Sequence, residues 1–399
     1  MKENWQIKKL VEVCEKTSNI NWVNNSKKEY KYIDLSAVSR ETLQINGHQY
    51  INSENAPSRA KKIVLNNDVI FATTRPTLKR ATIINNDFHG HICSTGFSVL
   101  RPKNDEALSK YVFYTLLTDS FMIYVEKLQK GASYPAITDN EVKAYRIPIP
   151  PIPEQKRIVK ILDEAFAAID KAKANAEKNL QNSRELFDSY LNKVFANPGE
   201  DWEEKKLGDV CNIIGGGTPA KSTSEYYTGN IPWATVRDMK FDVLATTEFC
   251  ITKKAIKESS SNLIPRNNVI IATRVGLGKV CILSNDTAIN QDLKGILPKK
   301  KNGLDTSYLF YWFKSISKII EANGVGATVK GVKIPFIESL KIPFPNLFAQ
   351  KQIVNNLDGI SSETKKLENI YQQKLSDLEE LKKSILQKAF EGQLTIDNG

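Results

Sequence analysis

Only five cysteines and three histidines occur in 399 residues. The cysteines, at positions 14, 93, 211, 250 and 281, are odd in number and form no CxxC pair. That pattern argues against both a disulfide framework and a zinc site, and leaves them as small buried residues. His89-Gly-His91 falls in a turn, and so few imidazoles assemble no serine–histidine–acid constellation. No apolar run approaches the ~20 residues a membrane-spanning helix needs, and MKENWQIKKL is not a signal peptide, so a cytoplasmic protein with no membrane partner is expected. Catalytic signatures are missing as well. There is no NPP[FY] tetrapeptide of an adenine methyltransferase and no FxGxG cofactor loop. Gly215-Gly-Gly217-Thr-Pro-Ala-Lys221 lacks the final Gly-Lys-Ser/Thr of a phosphate loop. Glu154-Gln-Lys156 has the E-x-K spacing of a metal-dependent nuclease, but the equivalent stretch later in the chain is Ala349-Gln-Lys351. Its carboxylate therefore reads as a charge at a helix N-terminus. A binding protein with no catalytic or metal residues is expected.

What the chain does carry is positive charge and a repeat. A net charge of +11 and a pI near 9.1 favour a polyanionic partner. Residues 146–195 hold a proline-rich lead-in (Pro148, Pro150, Pro151, Pro153) followed by one long amphipathic pattern from about Glu154. Ile158, Leu162, Ala165 and Ile169 recur in steps of four and three, the period of a coiled-coil seam. Residues 341–390 repeat it, with the seam at Ile353, Leu357, Ile360 and Leu367. Counterparts such as Gln155 and Gln350, or Asp163 and Asp358, lie 195 residues apart. A helix of some 40 residues is roughly 60 Å long and cannot bury a period-3.5 stripe against one compact domain. Its simplest partner is the other copy, run antiparallel. Ser183, Lys374 and Asn179 fall on or near this seam, where polar residues set register or mark loose packing.

Each repeat also opens alike, with WQIKKLVEVC at 5–14 and WEEKKLGDVC at 202–211. NNDVIFATTRP at 66–76 parallels RNNVIIATRVG at 266–276, whereas segments 19–65 and 212–265 share almost nothing alignable. Strands are expected near Tyr30–Leu35, Val69–Thr73, Ala81–Ile84 and Phe97–Leu100, before a helix near 108–129. In the second body they are expected near Val269–Thr273, Val280–Leu283 and Gly295–Leu297, before a helix near 306–322. The fold class is thus α+β: two similar globular bodies at opposite ends of a long antiparallel two-helix coiled coil, an internal tandem repeat with pseudo-twofold symmetry. The expected divisions are residues 1–145, a first body; 146–197, a spacer helix with its lead-in; 198–340, a second body; 341–392, a second spacer helix; and 393–399, a tail.

The candidate binding residues sit in basic, small-residue loops after the matched strands: Arg75, Thr77, Lys79 and Arg80 in the first body, and Arg274, Gly276 and Lys279 in the second. Each loop reads as a hairpin tip, where arginine can fork onto guanine O6 and N7 while lysine and threonine take phosphates. A solvated basic turn is the plainer alternative. A second candidate surface lies in the variable segments: Lys221, Ser222, Thr223, Tyr226, Tyr227, Thr235 and Arg237 in the second body, with Asn25, Lys27, Lys28, Ser39, Arg40 and Arg59 to Lys62 in the first.

On several motifs together the whole chain resembles the specificity (S) subunit of type I restriction-modification systems. They are IPIPPIPEQKRIV at 147–159 and its degenerate copy IPFPNLFAQKQIV at 342–354, the two matched openings, and GGGTPAKSTSEYYTGNIPWATVRDM at 215–239. GASYPAITDNEV at 131–142, answered by GATVKGVKIPFI at 326–337, completes the set. The resemblance implies two target recognition domains that each read half of a bipartite, asymmetric double-stranded DNA site, about one helical turn apart. It implies helices that set the gap and dock two modification (methyltransferase) subunits, with restriction (translocase/nuclease) subunits joining through the complex. S-adenosylmethionine, ATP and Mg2+ are then expected on those partners, with no cofactor on this chain. A specificity subunit of a related type II-like or phage-exclusion methylation system, or a coiled-coil adaptor, would read similarly. The departure is the second copy, where PPIPEQ has become PNLFAQ.

Overall fold

The computed structural model describes residues 4–25, 28–300, 303–326 and 328–394. Lys27 and residues 395–399 of the expected tail lie outside the described residues. The chain divides into two compact units, Met1–Glu177 with Gln373–Gly399, and Lys178–Gln372.

In the first unit the strand Gln6–Lys9 pairs antiparallel with Arg146–Ile149, placing Ile7 opposite Pro148. Proline cannot donate to a ladder and is tolerated where a strand keeps an open edge, as this two-stranded ribbon does. The lead-in is therefore partly strand, and the long helix (Ile152–Ala196) begins two residues ahead of Glu154. Pro153 occupies its first turn, where the missing N–H would have had no helical partner. A three-stranded antiparallel sheet is ordered Ala81–Ile83, Val69–Ala72, Phe97–Leu100. A four-stranded sheet is ordered Gln49–Ile51, Tyr30–Ile33, His91–Ser94, Ala60–Val64, and its middle pair is parallel. The helix expected near 108–129 is two, Ser109–Thr115 and Asp119–Leu128. The break falls where the Thr118 hydroxyl accepts from the Phe121 N–H at 3.3 Å and starts the second helix as its N-cap.

The second unit repeats this plan. Glu203–Lys206 pairs with Lys341–Phe344, and the helix near 306–322 is again two, Thr306–Ser315 and Ser317–Ala322. One sheet is ordered Cys211–Gly215, Leu293–Pro298, Val269–Ala272, Val280–Leu283, Val243–Leu244; the other is Phe249–Ile251, Ile231–Ala234, Thr287–Ile289, Asn262–Ile264. The latter again has a parallel middle pair. Segments 19–65 and 212–265, unalignable as sequences, thus build the same order in the four-stranded sheet, while the second body's other sheet carries two further strands, Cys211–Gly215 and Val243–Leu244. Strand fitness depends on packing a pleated, half-buried surface, which many β-branched and aromatic sets satisfy equally.

Within each unit, segments of the two long helices (Ile152–Ala196 and Leu347–Phe390) pair antiparallel. In the first unit Ile158, Leu162, Phe166 and Ile169 are buried in one cluster with Leu386 and Ala389, and Ala165 packs against it. Lys173 meets Glu379 at 2.6 Å and Asp170 meets Lys382 at 3.0 Å, so position falls along one helix as it rises along the other. In the second unit Leu191 and Phe195 share a core with Val354 and Leu357, and Arg184 pairs with Glu368 at 3.0 Å. Ile353 and Ile360 are half-buried and Leu367 is 37% exposed, whereas Val354 is buried. The apolar stripe is wider than a strict seam near the helix start, because those turns also cover the globular body. Beside Leu367 the helices meet through a charge pair. The buried hydroxyls of Ser183 and Thr364 donate within their own helices, to the Asn179 and Ile360 carbonyls, and Lys374 is exposed.

The joint between each body and its helix is built twice from the same parts. Gln155 is wholly buried; its Oε1 accepts from the Leu108 N–H at 2.9 Å while its Nε2 donates to the Glu106 and Pro150 carbonyls at 2.9 and 2.8 Å. Gln350 makes the same set with the Asp305 N–H, the Gly303 carbonyl and the Pro345 carbonyl. Where the second copy has Asn346 in place of Pro151, its Oδ1 accepts from the Ala349 N–H at 2.9 Å and caps the helix. The sequence change is thereby absorbed without altering the joint.

Candidate nucleic-acid interface

Both basic loops close antiparallel strand pairs, Val69–Ala72 with Ala81–Ile83 and Val269–Ala272 with Val280–Leu283. Each leaves its first strand through a threonine held in the same way. The Thr73 N–H donates to the Gly96 carbonyl at 2.8 Å and the Thr273 N–H to the Asp292 carbonyl at 2.8 Å. Their own carbonyls accept from the Ile137 and Val332 N–H groups, both at 2.9 Å. The loops 131–137 and 326–332 therefore brace the two tips, residue 327 lying outside the described residues.

The two tips solve one backbone problem differently. In the second, Gly276 and Gly278 take φ of +75° and +81°, which glycine adopts without steric cost. In the first, Arg75 and Lys79 flank Pro76–Leu78 with φ of 50° and 54°. A left-handed conformation at a side-chain-bearing residue stores strain, and such residues cluster at functional sites. Arg75 is exposed and held by its N–H to the Pro135 carbonyl at 2.6 Å, by Nη2 to the Ser133 carbonyl at 3.3 Å, and by its guanidinium over the Tyr134 ring at 4.9 Å. Thr77 is also exposed. Lys79 is half-buried, with Asp119 3.5 Å away, and Arg80 donates from Nη1 to the Leu35 carbonyl at 3.0 Å. Part of the basic run is thus spent on bracing the loop.

In the second unit a groove of about 760 Å³ brings the two candidate surfaces together. Lys221, Thr235 and Arg237 line it alongside Val275 of the hairpin tip and Asn290, Gln291 and Asp292. The glycine run earlier weighed as a phosphate loop forms part of its frame. A Cβ on Gly216 would lie 2.2 Å from the Asn290 carbonyl oxygen, so only glycine lets the two backbones approach. The Trp233 Nε1–H donates to the Gly217 carbonyl at 3.2 Å and the Tyr227 hydroxyl to the Pro219 carbonyl at 2.7 Å, fixing an aromatic floor. Thr235 donates its hydroxyl to Asp238 at 2.8 Å, forming a turn that leaves Arg237 exposed. Lys221, Ser222 and Lys279 are exposed, and Arg274 is held by Asp292, Nε to Oδ1 at 3.6 Å.

Elsewhere several candidates have structural partners. Lys62 donates to the Phe97 carbonyl at 2.7 Å and pairs with Asp139, the Tyr226 hydroxyl donates to Glu258, and Arg40 pairs with its neighbour Glu41. Lys28 and Arg59 are exposed. Tyr134, Asn290, Gln291 and Asp292 escaped the sequence reading. The signal for Tyr134 was its place in GASYPAITDNEV; nothing local marked the other three.

The residues weighed for chemistry have structural employment. His91 and His89 accept backbone N–H groups of Lys31 and Asn66 through Nδ1, and burial lowers the His91 pKa. Glu154 forks onto Arg157 at 2.7 and 2.8 Å. Four cysteines are buried and Cys250 is half-buried. Among the described residues no group of three or more His, Cys, Asp or Glu could hold a metal ion, and no helix is long and apolar enough to cross a membrane.

Two duplicated α+β bodies, each carrying a braced basic hairpin tip and each spliced to a long helix, make up the chain. Residues 2–179 and 199–377 each match the type I restriction modification DNA specificity domain, and the chain belongs to that family. Similar proteins include the MjaIX specificity subunit of Methanocaldococcus jannaschii, 31% identical over 44% of this chain and 42% of its own length. The EcoR124I/EcoR124II specificity subunit of Escherichia coli is 31% identical over 65% of each chain. The chain thus spans less than two thirds of the length of either curated relative. A solved chain from work on complex assembly and conformational transition of the type I R-M system matches 99% of both chains, at 29% identity and a TM-score of 0.88.

Proposed function

We propose that this chain is the DNA sequence-specificity subunit of a type I restriction-modification complex and is itself non-catalytic. The single observation that carries the reading is the duplicated body with unlike recognition loops. Two folds that share one four-stranded sheet order and a matched hairpin present different chemistry at the same place: Arg75, Thr77 and Lys79 in one, and Arg274, Gly276 and Lys279 beside the Lys221–Arg237 groove in the other. One architecture offering two different surfaces suits a bipartite site with unlike halves. The long helices set the gap between half-sites and dock two modification subunits, and restriction subunits join through the complex. S-adenosylmethionine, ATP and Mg2+ act on those partners. A net charge of +11 supplies the sequence-independent attraction to duplex phosphate.

The test is to co-express the chain with its modification subunit in a methylation-free host and map N6-methyladenine across the genome. A single split motif with two unlike halves is the expected result. A soluble co-purifying complex that methylates nothing would overturn the reading.

A further inference from the structure

The two hairpin arginines are steadied by different devices, and the two bodies exchange them position for position. Thr73 donates to Gly96 as Thr273 donates to Asp292, so Gly96 stands where the second body has its carboxylate. Ile137 donates to Thr73 as Val332 donates to Thr273, so Tyr134, three residues earlier, stands where the second body has Val329. The second body has the acid and lacks the ring; the first has the ring and lacks the acid. Accordingly Arg274 is paired with Asp292 at 3.6 Å, and Arg75 lies over the Tyr134 ring at 4.9 Å with one amino group on the Ser133 carbonyl. Tyr134 is 70% exposed, and no hydrogen bond of its hydroxyl occurs among the described residues, so it has no core role to explain its presence. A long arginine gives up rotamer freedom to read a base, and a guanidinium already laid on an aromatic face gives up less.

We propose that Tyr134 is a specificity-determining positioning residue of the first body: its ring fixes the Arg75 guanidinium for bidentate reading of one acceptor-bearing base, guanine, in that body's half-site. Asp292 does the same for Arg274 in the second body. This rests on the reading of the chain as a specificity subunit and adds which residue sets one position of the site.

The experiment uses the full chain with its modification subunits and genome-wide N6-methyladenine mapping, comparing wild type with Tyr134→Phe, Tyr134→Leu and Arg75→Ala. Tyr134→Phe keeps the ring and is expected to keep both motif and extent. Tyr134→Leu keeps bulk without the π face and is expected to lower methylation at full sites by about tenfold while relaxing one position of one half-site. That position should be the one relaxed by Arg75→Ala, with the other half unchanged. Tyr134→Leu methylating the unrelaxed motif to the wild-type extent would overturn the proposal, as would relaxation at a position different from that of Arg75→Ala, or an equal loss in Tyr134→Phe. A wild-type complex that yields no bipartite motif would instead sink the reading beneath it.

Discussion

The hydroxyl of Tyr114 donates to the Asp163 carboxylate across 2.6 Å, and Tyr311 does the same to Asp358 across 2.5 Å. Each bond ties the helix that covers a body's core to the long helix leaving that body. Hydrogen bonds to a charged acceptor contribute roughly 1.5–3 kcal/mol when partly buried. Tyr114→Phe and Tyr311→Phe should each cost about 1–2 kcal/mol in chemical denaturation of the full chain, with about additive loss in the double variant because the pairs share no partner. Loss of one bond without a shift in the unfolding midpoint would show that the contact is geometric only.

Gln155 and Gln350 should be less forgiving. Each satisfies one part-buried N–H, one part-buried carbonyl and one buried proline carbonyl at the joint, and truncation strands all three. Gln155→Ala is expected to lose about 2–4 kcal/mol. Gln155→Glu should be at least as damaging, since a carboxylate can still accept from Leu108 but faces two carbonyls it cannot satisfy. Equal stability of Gln155→Glu and wild type by urea titration would refute this account of the joint.

Alkali should unfold the protein ahead of neutral pH stress. Burial holds Tyr111, Tyr114, Tyr308 and Tyr311 above their ordinary 10.0, Asp163 and Asp358 adding to the effect on Tyr114 and Tyr311. It also pushes Cys14, Cys211 and Cys281 from 9.0 to about 12. Between these values the unfolded chain has released protons that the folded chain still binds, so stability falls as pH rises. The contribution is complete below pH 9.0 and declines from there upward. Urea midpoints measured at about pH 7.5, 9 and 10.5 should descend in that order; a flat series would contradict it.

DNA binding separates a reader from an adaptor. Arg75→Ala and Arg274→Ala should each cost about 1–3 kcal/mol of affinity for a methylated-motif duplex, measured by anisotropy on the assembled complex. Lys79→Ala and Lys279→Ala should weaken specific and random duplexes alike and lower the salt slope by about one per lost phosphate contact. An adaptor would tolerate all four changes.

A ruler can be lengthened. One heptad added to the middle of each long helix keeps the antiparallel register read from Lys173–Glu379 and Arg184–Glu368 and adds about 10 Å, or roughly three base pairs, to the preferred gap. A methylated motif whose gap stayed unchanged would mean that the helices do not set it.

The sequence by itself determined the duplication, the two long helices and the strand pairs around each basic loop. Those features rest on local periodicity and on residues repeated at a constant offset, as with Gln155 and Gln350. It also placed the hairpin tips, because Arg75 and Arg274 follow matched strands of four apolar residues. Only the tertiary structure decided that the unalignable segments build four-stranded sheets of the same order, since a pleated surface accepts many apolar sets and their pairing is long-range. Likewise only the fold brought Asp292 to Arg274 and showed that Gly96 stands in its place in the first body. Residues so far apart in the chain leave no periodic trace of their contact. The break after Thr115 and the widening of the apolar stripe at Val354 have the same origin. A cap or a second packing surface overrides a helical period whenever the neighbouring body supplies the contact that the period alone does not encode.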